Sequence, residues 1–425
     1  LLGFALLLVS LPAAGEWTRF RGPAGTGVGD GPTIPYEWSS EENLAWRTPL
    51  PGSGTSSPII AGGNVYVTSY TGYGLDAEAP GDAADLVRHL VAIDRETGAE
   101  AWRFSQASGA DEDPYQGFIV QHGYASSTPA ADAERVYAVL GKSGLFAFTH
   151  QGQEVWRKSL GTFSDPTEWG DGSSPIVVDG RVIVNAGILG HALLAFDAET
   201  GEELWRIEDP EFTRTWATPT SARIDGRSLA IFNVPRQLIA VDVATGEVAW
   251  RVKSPIDGSA CASIVLDGDS AYAMGSREGY GIGVSLDGST DAGEPAVLWN
   301  RQIRSSIVTP VALEGTLYWT SRGRVLAARV SDGEYVYRTR LPRKGGATGG
   351  FPNADYSSPV VSGGNVVLFT RNGESYVIRP GEKLDVVAHN PPFDGDDSSF
   401  SSTPAIDEGE LFVRSERYLY CIGDR

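Results

Sequence analysis

A phrase of about 45 residues recurs along this chain. It consists of a Ser/Ala-Ser/Thr-Pro step, a Val-Tyr-Val-like strand, then Ala-x-Asp-x-x-Thr-Gly-x-x-x-Trp. Two copies run from Ser173-Ser174-Pro175 to Trp205 and from Ala217-Thr218-Pro219 to Trp250. A fixed period built from short strands and turns predicts a β-propeller, because one such unit can bury its apolar faces only against its neighbours. Strands start at Pro58, Pro129, Pro175, Pro219, Ser263, Pro310, Pro359 and Pro404, eight positions. Repeats close at Trp46, Trp102, Trp156, Trp205, Trp250, Trp299, Tyr337 and Val386, again eight. The two sets are offset, since Trp46 precedes the first start. The strand around Trp46 must then complete the last blade, which removes the open edges that would invite aggregation. The expected fold is all-β: an eight-bladed propeller of four-stranded antiparallel blades over residues 43–425, preceded by an arm over 16–42.

Most conspicuous residues of the repeat are explained by its turns. Asp179-Gly180, Asp225-Gly226 and Asp267-Gly268 sit between apolar runs as hairpin turns require. Asp94, Asp197 and Asp242 precede Thr-Gly pairs, where an Asp side chain can hold the turn backbone and Gly can take positive φ. Trp46, Trp102, Trp156, Trp205 and Trp250 supply large apolar area for the contact between blades. Two segments break the period: an insertion from Tyr70 to Arg88, and the link from Ser105 to Tyr124. The glycines of Gly25-Thr26-Gly27-Val28-Gly29 read as a flexible arm.

The net charge of −20 disfavours a nucleic-acid partner, which would need a basic face. Residues 1–15, Leu1-Leu-Gly-Phe-Ala-Leu-Leu-Leu-Val9-Ser-Leu-Pro12-Ala-Ala14-Gly15, carry the apolar core and small-residue end of a secretory signal, and the run is too short to span a bilayer. The expectation is a protein exported to the periplasm or beyond, with no transmembrane segment once the signal is removed. No Cys follows the apolar run, which argues against a lipoprotein. Cys261 and Cys421 lie in different repeats and read as unpaired thiols inside strand-like runs.

The Ala-x-Asp-x-x-Thr-Gly-x-x-x-Trp repeat resembles the tryptophan-docking repeat of the pyrroloquinoline-quinone (PQQ)-like eight-bladed propellers, which include quinoprotein alcohol dehydrogenases and the BamB-type assembly lipoproteins. Trp17-Thr-Arg-Phe-Arg21-Gly22-Pro23, His122-Gly-Tyr-Ala-Ser-Ser-Thr-Pro129 and Val413-Arg-Ser-Glu-Arg-Tyr-Leu-Tyr-Cys421 are similar to phrases of an exported bacterial PQQ-binding-like subgroup. For an enzyme of this kind the resemblance implies PQQ and Ca²⁺. The chain departs from that pattern: it has no adjacent Cys pair, and no Glu/Asn/Asp calcium set can be placed by motif. No cofactor follows from the residues themselves.

The loops between second and third strands share a face with the links between blades. They are basic, with Lys142, Arg236, Arg277, Arg322, Arg324, Arg371, Arg414 and Arg417 against Glu278, Glu374 and Glu416. These arginines either receive an anionic ligand or a partner's acidic segment, or pair with link acids such as Asp165, Glu168, Asp171, Asp355 and Asp396. The candidate binding residues are His122, Tyr124, Arg214, Trp216, Arg236, Arg277, Arg304, Arg322 and Arg371. No catalytic residue and no metal site is expected, since the five histidines are scattered and Asp394-Gly-Asp396-Asp397 lacks an EF-hand glutamate. The leading reading is a non-catalytic scaffold of the cell envelope that binds a protein or small anionic ligand on the arginine face. The alternatives are a PQQ-dependent dehydrogenase of alcohols or sugars, and a carbohydrate platform using Tyr70, Tyr73, Tyr115 and Trp169 as exposed aromatics.

Overall fold

A computed structural model describes residues 16–423 except 110, 276–278, 290–293, 304, 306 and 343–354. Among the described residues, thirty-two strands form eight four-stranded antiparallel sheets arranged as the blades of one propeller. The offset of the repeat has the predicted consequence. Leu44–Pro49 pairs with Tyr418–Ile422, with Trp46 opposite Cys421, and completes blade 8 beside Glu410–Arg414 and Ala405–Asp407.

The hydropathy of each strand follows its radial position. Second and third strands are flanked by other blades on both faces, so they read as mostly apolar runs: Val182 to Ala186, with Asn185 its one polar member, and Ala192 to Phe196 are all buried. Fourth strands form the outer rim and alternate. In Glu203–Glu208 only Trp205 is buried.

The same Trp joins one blade to the next. Trp46, Trp102, Trp156, Trp205 and Trp299 donate their indole N–H to the carbonyls of Arg95, His150, Ala198, Val243 and Val330, at 2.8–3.1 Å, in the turn of the following blade. The ring then lies flat against the glycine of that turn. A Cβ on Gly201 would stand 2.6 Å from Trp156, and one on Gly246 2.5 Å from Trp205. With φ at +70° and +76°, these two positions accept glycine for two separate reasons. The preceding Asp holds the turn: Asp197 Oδ1 accepts from the N–H of Glu199 and Thr200, and Asp94 Oδ1 from the N–H of Thr97.

A second set of contacts runs around the inner wall. In seven of the eight repeats a proline keeps the residue before it extended, in the other Ser263 precedes Ile264, and in each this residue turns its N–H toward the next blade. Ser57 N–H donates to Thr128 Oγ1, Thr128 to Ser174, Ser174 to Thr218, Thr218 to Ser263, Ser263 to Thr309, Thr309 to Ser358, Ser358 to Thr403, and Thr403 back to Ser57. All eight bonds measure 2.9–3.2 Å. Every repeat thus contributes one donor and one acceptor to a closed belt of uniform direction.

Residues 16–42 differ from the expected flexible arm. Residues 17–29 cross the channel and pack against its wall, and residues 30–42 continue over the turns of blades 7 and 8. Trp17 and Thr18 carbonyls accept from Ile60 and Ala131 of blades 1 and 2, and Arg19 reaches Ser221 of blade 4. Arg21, 1% exposed, donates to the carbonyls of Thr309 and Pro310 at 2.9 and 2.7 Å and to Thr26 at 2.7 Å. Val28 bridges Val361 of blade 7, with Gly27 and Gly29 bonded to the same residue. Trp38 is stacked on Phe369. Glycines here serve close packing against the channel wall: a Cβ on Gly27 would stand 2.9 Å from the Arg21 guanidinium. Ile60 and Ala131 lie beyond Ser57 and Thr128 along their strands, so the segment closes the channel below the belt.

Candidate functional site

Above that closure the channel opens into a cavity of about 460 Å³ on the face shared by the blade links and the second-to-third turns. Its floor is Phe20, and its waist is the belt, all eight of whose hydroxyl residues line it. Its wall is aromatic on one side. Phe118 contacts Trp169 with ring centroids 4.6 Å apart, and Trp169 contacts Trp216 at 5.3 Å. All three remain half-buried, facing the cavity. Trp216 is fixed by its indole N–H bond to Gly170 O at 2.8 Å. Tyr356, Cys261, His122 and Arg322 also line it.

The candidate residues separate on this geometry. His122, Trp216 and Arg322 line the cavity together. His122 Nδ1 is 2.8 Å from Ser126 Oγ, and burial pushes its pKa down to about 4, so the ring is neutral at pH 7. Arg322 is exposed, in the turn between the second and third strands of blade 6, and takes no ion pair among the described residues. Arg371 stands one layer back, donating to Gln121 O at 2.9 Å, with its guanidinium 4.9 Å from the Tyr356 ring centre. Arg236 is an exposed rim residue paired with Glu211. Arg214 acts through its backbone, its carbonyl accepting from Ala260 N–H. Arg277 and Arg304 lie outside the described residues.

Tyr124 does not reach the cavity. It is buried, with its hydroxyl donating to Asp113 O at 2.7 Å. It belongs to a cluster with Tyr70, Tyr73, Leu86 and Ile119, in which the blade 1 insertion packs on the following link. Tyr70 and Tyr73 are 1% and 7% exposed, so they offer no sugar platform. Arg88 fastens this unit with two bonds to Glu112 at 2.7 and 2.8 Å, and Lys142 pairs with Asp113 at 3.1 Å. Other members of the basic set are also spoken for. Arg414 is buried on Ser56, while Arg417 binds Asp396 and Asp397 and so braces the acidic loop.

Cys261 also departs from expectation: it lies in the link before Val265–Asp267, against the cavity, not within a strand. Burial pushes its thiol up to about 12, which keeps it neutral. Sequence reasoning missed Phe20 and Phe118, which sit in segments without repeat counterparts. It also missed the role of the hydroxyl residues at the strand starts, although their Ser/Thr identity was visible in every copy.

Beside the wall, Asp171 accepts hydrogen bonds from the N–H groups of Gly172 and Ser173. Burial, with the Asp113 charge adding, pushes its pKa up to about 7. An unfolded Asp titrates near about 4, so between these values the folded chain holds more protons. This group's stability contribution is therefore full below about pH 4 and is lost as pH rises through about 7. Asp171→Asn is expected to flatten the fall in melting temperature between about pH 5 and pH 8, and thermal melts across that range measure it.

Whether PQQ with Ca²⁺ fits can be judged from the donor set. Calcium takes oxygen ligands rich in carboxylate, whereas the lining offers hydroxyls, an imidazole, a thiol and a guanidinium. No cluster of three or more His, Cys, Asp or Glu able to hold a metal occurs among the described residues. The metal does not fit this cavity.

A family model described as outer membrane protein assembly factor BamB matches residues 28–111 and 87–339. Among solved structures, BamB from Moraxella catarrhalis is similar with a TM-score of 0.62 and 12% identity, over 90% of this chain and 97% of that one. The quinohemoprotein alcohol dehydrogenase of Comamonas testosteroni is similar with a TM-score of 0.65 and 14% identity, over 97% and 81%. The computationally designed Ika8 protein is similar at 0.54 and 11%, over 89% and 99%. An assembly factor, a dehydrogenase and a design sharing one architecture show that these likenesses carry the fold alone. No curated protein matches the sequence. No helix among the described residues is long and apolar enough to cross a membrane.

Proposed function

The chain belongs to the family of the outer membrane protein assembly factor BamB, and from that premise we propose an exported, non-catalytic binding propeller of the cell envelope. Its receiving site is the cavity at the channel mouth. One observation carries this reading: Phe118, Trp169 and Trp216 form a continuous aromatic wall left half-buried beside the unpaired charge of Arg322, among the described residues. Large aromatics with one open face and an adjacent arginine are the residue types that anchor bound partners. The signal-like run of residues 1–15 supports export.

Immobilised protein exposed to an envelope extract is expected to retain a protein or small molecule that a Trp216→Ala, Arg322→Ala double variant loses. Removing an aromatic anchor typically costs about 2 kcal/mol, roughly thirtyfold in affinity. Mass spectrometry of both eluates is the measurement, and identical retention would remove the cavity as the receiving site. Dye reduction with alcohols or sugars on adding PQQ and Ca²⁺ would overturn the non-catalytic reading.

A further inference from the structure

We propose that the outer edge of blade 6 docks an extended acidic segment of a partner protein. The segment adds a fifth strand beside Tyr335–Arg340 and sets carboxylates at alternate positions against Arg338 and Arg340. This surface lies outside the cavity, and the inference does not depend on what the cavity takes.

The first observation is a departure from the repeat. In blades 1, 2 and 3 the residue after the blade-joining Trp is an arginine that pairs with the glutamate three places earlier: Arg103 with Glu100, Arg157 with Glu154, Arg206 with Glu203. In blade 6 the arginine remains as Arg338, but Tyr335 stands where the glutamate would be. The Arg338 guanidinium lies 4.8 Å from the centre of that ring, and Glu334 is taken by Arg329.

The second observation is like charge placed face to face. Arg324 and Arg340 are direct cross-strand partners, and Arg338 faces Leu326 two steps along, so the three cations share one face of the blade. The N–H of Leu341 bonds Gly323 O, which makes the 324/340 pair a non-hydrogen-bonded one, the kind whose side chains stand closest. Like charges directly opposite one another destabilise a sheet. At the corresponding place other blades set Glu208 against Ala192, Lys253 against Gln237 and Asn390 against Ser375. Arg324 also reaches across the last strand, 3.4 Å from Arg338 O. None of the three arginines takes an ion pair among the described residues, and Arg338 and Arg340 are exposed, in a chain of net charge −20. The fold gains nothing from this repulsion, whereas bound carboxylates relieve it.

The third observation is an open backbone. Tyr335–Arg340 is the last strand of its sheet. Hydrogen-bonded and non-hydrogen-bonded pairs alternate along an antiparallel ladder. The N–H and C=O of Arg338 and Arg340 therefore point away from Arg324–Arg329, toward the open edge. A strand laid there finds main-chain donors and acceptors. Its side chains return to the same face every second residue, which is the spacing of Arg338 and Arg340. An acid-x-acid segment thus brings both carboxylates to the guanidiniums, and the same charges turn away a basic strand.

Fluorescence anisotropy at low ionic strength tests this with labelled heptapeptides Thr-Val-X-Val-X-Val-Thr, X being Glu, Gln or Lys. The full chain should bind the Glu peptide at least about tenfold tighter than the Gln peptide, and the Lys peptide least. Net charge alone would give the reverse order, so the order reports the local surface. Methylating the backbone nitrogens of both Glu residues, which would donate to Arg338 O and Arg340 O, should weaken binding about tenfold or more. An Arg338→Gln, Arg340→Gln double variant should lose the preference for Glu over Gln. If that variant fails to fold, the peptide series on the parent chain still decides. Equal or tighter binding of the Gln or Lys peptide, or indifference to methylation, overturns the proposal. So does an unchanged preference in the folded double variant, or no binding of any peptide.

Discussion

Replacing Arg21 by methionine is expected to lower the stability of the propeller by about 2–4 kcal/mol, one of the largest losses any single substitution should produce here. The side chain is buried in the channel, and burial pushes its pKa down to about 9. Carbonyls of Thr309, Pro310 and Thr26 meet its guanidinium at 2.7–2.9 Å. Methionine fills much of the same space but donates nothing, so three carbonyls would face apolar surroundings unpaired. Each such orphan costs on the order of 1–3 kcal/mol. Relief from burying a charge offsets part of the sum, which sets the net value. Denaturant unfolding monitored by tryptophan fluorescence measures it, with Arg322→Met as the control expected within about 0.5 kcal/mol of the parent. A midpoint for Arg21→Met equal to the control would mean that the segment 16–42 is an appendage and not a keystone.

Trp205→Ala should cost about 3–5 kcal/mol, the range for deleting a buried indole. The ring is 8% exposed, packs on the Gly246 turn and bonds Val243 O at 3.1 Å, so its loss opens a gap between blades 3 and 4. Trp205→Phe restores most of the area but leaves the carbonyl without its donor, and about 1 kcal/mol should separate it from the parent. Gly246→Ala attacks the same contact from the other side, since its Cβ would stand 2.5 Å from the indole at φ +76°. Equilibrium unfolding of the three variants ranks these effects. Near-identical stability of Trp205→Ala and the parent would show that the joint between blades is carried elsewhere.

What the sequence disclosed followed from repetition. Eight copies of one phrase fix the strand pairing, because each copy supplies its own turns, and the offset of Trp46 locates the joint that Leu44–Pro49 makes with Tyr418–Ile422. The candidate site was legible in part. His122, Trp216 and Arg322 meet in one cavity, yet Tyr124 and Arg414 carry the same surface-loop signature and are buried. Residue type and loop position do not say whether a side chain turns inward, since that depends on what the insertion and the link find to pack against. The segment around Arg21 was misread for a similar reason. Its glycines resemble a loose tail in isolation, and only the channel wall makes them a close fit.

The closed belt also bears on how the chain reaches its fold. The bond from Thr403 to Ser57 and the pairing of residue 44 with residue 422 join segments separated by nearly the whole chain. Contacts of such sequence separation form late, because the entropy of bringing the ends together must be met before they contribute. Until then seven blades form an open stack with exposed strand edges. A translating ribosome or a secretion channel that delivers residues in order therefore releases an incomplete ring until its last strand emerges. Maturation should be a single late step gated by the C-terminal strand, and that is when the incomplete chain most needs protection from its neighbours.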